Sequence, residues 1–143
     1  MIFSIVVLAM NKPESIYMND KSLFIEKMKS RTQQLAVDVI HLCDTLKTCK
    51  ASGVITYQIV KSATSTGANY RAACRGRSEK EFFSKMSIVI EECDETEYWL
   101  EVINLAQLSS DQKKLDYLLQ EYNEITRIVT KARATLYDKR NQK

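Results

Sequence analysis

Residues 62–67 read SATSTG, six small side chains whose weak helix propensity would by itself make a loop. On either side the apolar spacing is helical. Tyr57, Val60 and Ala63 lead into the stretch, and Gly67, Tyr70 and Cys74 lead out of it, at steps of three or four residues. If the helix runs through, the small residues let a neighbouring helix approach closely. We read it as continuous, one helix over about residues 54–75.

Working outward, Met28, Thr32, Leu35, Val39, Leu42 and Leu46 alternate steps of four and three residues and share one face. They predict a first helix over 22–50, with Lys47 and Lys50 against its C-terminal dipole and Gly53 as the break that follows. Downstream, Gly76 and Arg77 form a turn, and Ser78 followed by Glu81 is a capping box that opens a third helix. Its seam is Phe82, Met86, Val89, Cys93, Thr96, Leu100 and Ile103, giving a helix over 79–108. Ser109 and Gln112 repeat the capping logic for a fourth helix over 110–138, with Leu115, Leu118, Tyr122, Ile125, Val129, Ala132 and Leu136 inward. Short links force neighbours to run antiparallel. The expectation is an all-α, up-and-down antiparallel four-helix bundle over 20–143, preceded by a flexible segment over 1–19.

Composition agrees. The chain has 143 residues, with Gly 3 and Pro 1, which leaves little material for tight turns and favours long helices. A hydrophobic share of 45% with 27% charged residues is that of a globular domain and excludes disorder throughout. Residues 2–10 form an apolar run too short to span a bilayer and without the positive start of a signal peptide, which argues against membrane insertion and secretion. Cys43, Cys49, Cys74 and Cys93 have no zinc-ligand spacing. Three of them, Cys43, Cys74 and Cys93, fall on apolar seams, where a thiol behaves as a small hydrophobe. Free thiols point to a reducing cytosol.

Residues 65–78, STGANYRAACRGRS, together with Glu81, Phe82, Met86, Ser87 and residues 92–101, ECDETEYWLE, resemble the bacterial four helix bundle proteins. These are also called intervening-sequence proteins, because some are encoded within insertions in large-subunit rRNA genes. The resemblance runs from about Phe24 to the C-terminus. It implies a compact bundle that forms homo-oligomers, including pentameric rings, without an established enzymatic activity. The fold is also similar to that of the accessory variability determinant of diversity-generating retroelements, a basic pentamer that works with reverse transcriptase and RNA. The family usually has a small residue such as alanine where this chain has Cys93.

No residue pattern points to catalysis. The acids of helix three, Glu91, Glu92, Asp94, Glu95, Glu97 and Glu101, invite comparison with di-iron bundles. Those need inward Glu-x-x-His motifs on two helices, and His41 is the only histidine. The same shortage removes a hydrolytic triad. A phosphate loop needs a glycine-rich turn between strand and helix, and TSTG offers one glycine and no strand. No enzyme, metal, cofactor or small-molecule substrate is therefore expected.

Charge is the more informative signal. With neighbouring helices antiparallel, fourteen basic residues fall at one end of the bundle against five acidic ones, a net +9, and the opposite end carries a net −6. The whole chain is only +3. A basic end of this size focuses a polyanion, and a ring of subunits multiplies it. RNA or DNA backbone is the natural partner, with Arg71, Arg75, Arg77, Lys80, Arg133 and Arg140 as candidate contacts. No signature of a sequence-reading module is visible. Tyr98, Trp99 and Val102 fall on a second face of helix three, away from the Leu100 and Ile103 seam. Trp and Tyr are favoured interface anchors, so these residues are the candidate oligomer contact, the alternative being a wide core stripe.

Overall fold

The computed structural model describes residues 14–141, with side chains from Asp20 to Asp138 except those of Lys21 and Leu136. Residues 1–13, with the apolar run, and residues 142–143 lie outside the described residues. Four helices follow in order: α1 Glu14–Cys43, α2 Lys50–Cys74, α3 Glu79–Leu105 and α4 Gln112–Asn141. Each packs on two neighbours, α1 and α3 both on α2 and α4, and the diagonal pairs face each other only across the core. The α1–α2 and α3–α4 links lie side by side. Lys47 N–H donates to the Leu108 carbonyl (2.8 Å) and Ser110 N–H to that of Thr45 (3.1 Å). The hydroxyls of Thr45 and Ser109 meet at 2.8 Å. This pairing puts the α2–α3 turn at the other end and makes the bundle up-and-down and antiparallel.

The predicted seams of α1, α3 and α4 form the core, but that of α2 is shifted: Tyr57, expected inward, is 68% exposed and Val60 and Cys74 are only half-buried, because Ile55 and Ile59 take the inward positions. Leu35, Val39 and Leu42 of α1, Ile59 and Ala63 of α2, Phe82, Met86, Val89, Leu100 and Ile103 of α3, and Leu115, Leu118, Tyr122, Ile125 and Val129 of α4 are all buried. Each large side chain among them stabilises the fold by about 1.5–3 kcal/mol relative to an exposed one.

Helix α2 runs unbroken through residues 62–67, and Ser62, Ala63, Thr66 and Gly67 are buried. A Cβ on Gly67 would lie 3.5 Å from the Thr32 carbonyl and hydroxyl oxygens of α1, so the two backbones are close there. The hydroxyls satisfy themselves one turn back: Thr32 donates to the Met28 carbonyl (2.9 Å), Thr64 to Val60 (2.7 Å) and Thr66 to Ser62 (3.0 Å). Packing supplies what propensity lacks.

The helix ends depart from the expected ones. Helix α1 is already helical at Glu14, within the segment expected to be flexible, and stops at Cys43 rather than 50. There the Thr45 hydroxyl donates to the Leu42 carbonyl (2.7 Å) and Leu46 turns out to face Ser109. Lys50 opens α2, so Lys47 lies in the link and Gly53 lies inside a helix rather than at its break. Helix α3 closes at Leu105 rather than 108, because Gln107 takes a left-handed φ of 51°. Its N–H donates to the Asn104 carbonyl and that of Leu108 to Ile103, each at 3.0 Å. This is a Schellman closure without its usual glycine. Asp111 caps α4, its carboxylate accepting from Lys114 N–H (2.9 Å), while Ser109 accepts from Asp111 N–H (3.0 Å) instead of capping the helix itself.

Candidate nucleic-acid interface

The α2–α3 turn is rigidly tied. Arg75 N–H donates to the Ala72 carbonyl (3.1 Å) and Gly76 N–H to Ala73 (3.0 Å), which closes α2. Ser78 Oγ accepts from Glu81 N–H (3.1 Å), and the Glu81 carboxylate accepts from Arg77 N–H (2.9 Å). The predicted capping box is present, with its carboxylate reaching one residue further back than usual. On this fixed backbone Arg75, Arg77 and Lys80 sit within six residues of one another, all exposed, and Arg71 is exposed one turn earlier on α2. None of the four side chains is ion-paired among the described residues.

Other cations of the expected basic end are engaged elsewhere. Arg31 bridges α1 to α4, with Nε 2.8 Å from Glu121 and Nη2 2.6 Å from Glu124. The Glu121 hydrogen bond holds the guanidinium more strongly protonated than usual, against the opposing effect of its burial. Arg31 is therefore neutralised against α4 and adds no free charge to the basic end. Arg133 is half-buried, donates from Nε to Ser87 Oγ (2.9 Å) and lies 4.4 Å from the centroid of the Phe83 ring. The Arg140 side chain lies outside the described residues, although its backbone belongs to α4.

The acids of α3 serve partly structural ends. Glu97 accepts from the Thr126 hydroxyl (2.6 Å), joining α3 to α4, and Glu95 accepts from Trp99 Nε1 (3.3 Å). Burial, reinforced by Glu95, raises the Glu92 carboxyl above the usual range. Among the described residues no group of His, Cys, Asp or Glu side chains could hold a metal ion, and no helix is long and apolar enough to cross a membrane.

Of the three candidate contact residues on α3, Tyr98 is 56% exposed and meets Trp99 edge to face, centroids 5.0 Å apart. Trp99 and Val102 are half-buried and pack against the core, so for them the wide-stripe alternative describes the packing within the chain. Leu105, 83% exposed, was not singled out by the sequence. It lies seven residues after Tyr98 and three after Val102, and that spacing was its legible signal.

A family model described as 23S rRNA-intervening sequence protein matches residues 26–131. The chain belongs to this family. The matched intervening-sequence segment includes the whole α2–α3 turn with Arg71, Arg75, Arg77 and Lys80, and stops short of Arg133. Among solved structures the chain is similar to a protein with unknown function from the S23 ribosomal protein family of Bacteroides thetaiotaomicron VPI-5482, solved at 1.70 Å resolution. The two share 28% sequence identity with a TM-score of 0.67, over 77% of this chain and 97% of that one. No curated protein matches this intervening-sequence chain.

Proposed function

We propose that this intervening-sequence protein is a non-catalytic, homo-oligomeric scaffold that binds RNA or DNA backbone through its basic end. The observation that carries the reading is the exposed set Arg71, Arg75, Arg77 and Lys80 on the tied α2–α3 turn, without an ion pair among the described residues. Arginine forks and a lysine point charge suit phosphate oxygens, and a preset backbone lowers the ordering cost of engaging them.

Self-association draws support from the exposed Tyr98 and Leu105, with the half-buried Trp99 and Val102 between them. Exposed apolar residues on an otherwise charged helix are the composition of a contact surface, and by family resemblance a pentamer is the expected assembly. Light scattering tests it: a monomer at micromolar concentration overturns the oligomer, and an assembly unaffected by Trp99→Ala removes only that residue's part.

Salt dependence tests the nucleic-acid reading. If several cations engage phosphates, affinity falls by orders of magnitude between roughly 50 and 200 mM salt, through counterion release. Arg75→Glu with Arg77→Glu weakens binding across unrelated sequences while helical content is retained. A folded wild-type protein that binds neither RNA nor DNA at low salt leaves the alternative, a structural or protein-binding module.

A further inference from the structure

We propose that the α3–α4 seam at the basic end is a stacking site for an unpaired base of single-stranded nucleic acid, an inference that rests on the nucleic-acid reading above. Phe83 of α3 is half-buried and packs against the core, so its ring is fixed. Tyr137 of α4 stacks on it with centroids 6.5 Å apart and an interplanar angle of 29°. More than half of Tyr137 remains exposed, at 54%. Arg133, one turn before Tyr137 on α4, lies over the same Phe83 ring at 4.4 Å and is anchored on Ser87 Oγ at 2.9 Å. Lys80, one turn before Phe83 on α3, is exposed.

The seam thus joins an open aromatic ring, a rigid aromatic backing, an anchored guanidinium and an exposed ammonium, at the end of the bundle where positive charge dominates. Aromatic rings interleaved with cations are the elements by which proteins hold single strands: rings take base faces and cations take phosphates. A base inside a duplex has both faces covered by its neighbours, so an open tyrosine ring selects unpaired nucleotides. The same cations without the ring would select by charge alone. A core-closing role for the Phe83 and Tyr137 pair predicts an effect on stability and none on nucleic acid.

The test compares a short oligothymidylate, an abasic strand of equal length and a hairpin duplex, titrated at low salt into wild-type protein, Tyr137→Phe, Tyr137→Leu and the Arg75→Glu, Arg77→Glu double variant, each first shown to be folded. Stacking of one base predicts that the wild type prefers the thymidylate over the abasic strand by about 5- to 150-fold. Tyr137→Phe should keep this preference. Tyr137→Leu should lose it while retaining the affinity for the abasic strand and its salt slope. Equal binding of thymidylate and abasic strand, or a Tyr137→Leu variant indistinguishable from wild type, overturns the stacking site. If the charge reversals weaken binding and Tyr137→Leu does not, only this inference falls; if the wild type binds none of the three, the nucleic-acid reading falls with it.

Discussion

Thr96 Oγ1 of α3 donates to Ser62 Oγ of α2 across 2.8 Å, with both residues fully buried. Ser62 passes the bond on to the Ile59 carbonyl (3.2 Å), and the Glu92 carbonyl lies 2.8 Å from the Thr96 hydroxyl as a second acceptor. Two polar side chains thus sit in the middle of an apolar interface without an unmet donor. Small residues bring the helices close enough for the hydroxyls to meet.

Thr96→Val removes the donor and leaves the Ser62 oxygen short of one bond in a dry environment, at a cost of about 1–2 kcal/mol. Ser62→Ala costs less, because Thr96 turns to the Glu92 carbonyl. A double-mutant cycle by chemical denaturation should give a coupling of about 0.5–1.5 kcal/mol. Strictly additive single effects would show that the bond contributes nothing.

Gln107 holds a left-handed φ of 51° at the end of α3, a conformation that costs a side-chain-bearing residue about 1 kcal/mol and glycine almost nothing. Gln107→Gly should therefore raise the unfolding free energy by about that amount, read as an upward shift in Tm. A lower Tm would mean that the unfolded-state entropy of glycine outweighs the relieved strain.

Gly67 has room for one methyl group and no more: its missing Cβ would touch Thr32 at 3.5 Å, an ordinary contact distance. Gly67→Ala should be neutral or stabilise by up to about 1 kcal/mol through helix propensity and reduced unfolded-state entropy. Gly67→Ile forces α1 and α2 apart and should cost about 1–3 kcal/mol. Equal stability of the two variants in urea would show that close approach is not required there.

The four thiols should separate by reactivity. Cys49 is exposed, and its bond with Ser52 Oγ (3.1 Å) lowers its pKa below the ordinary 9.0. Burial pushes Cys93 up to about 12 and raises Cys43 and Cys74. The thiolate is the reactive form, so a disulfide reagent near neutral pH should find one fast thiol, which Cys49→Ser removes. Its rate should rise with pH about a midpoint below 9.0, and Ser52→Ala should move that midpoint up. Two or more fast thiols in the native protein would contradict the burial of Cys93 and the partial burial of Cys43 and Cys74.

The Arg31 bridge to Glu121 and Glu124 should make stability fall in acid. Arg31 lowers the Glu124 carboxyl below its ordinary 4.5. The folded state thus binds that proton less tightly than the unfolded one. The contribution is complete above the ordinary carboxylate value and is lost as pH falls through the lowered one. Arg31→Met should cost about 1 kcal/mol at neutral pH, as expected of a partly solvated network, and flatten the acid limb of a stability–pH curve. An unchanged acid limb would place the acid sensitivity in other carboxylates.

The sequence alone determined the helix count, the core faces of α1, α3 and α4 and the up-and-down order, while on α2 it placed Tyr57 inward where Ile55 and Ile59 are buried. The features it determined depend on the period of apolar residues and on short links, both local properties of the chain. The basic turn was legible for the same reason, since Arg75, Arg77 and Lys80 are neighbours in sequence on a capping box. What tertiary structure decided were the relations between helices. Residues 62–67 are helical because packing against Thr32 and Thr96 outweighs their propensity. Helix α3 ends at Leu105 although no glycine marks the position. Arg31 and Arg133 look identical to Arg75 in composition, yet one is neutralised across α1 and α4 and the other is anchored over Phe83. The pairing of Phe83 with Tyr137, separated by more than fifty residues, could not be read from either helix, because stacking depends on the register in which α3 and α4 meet.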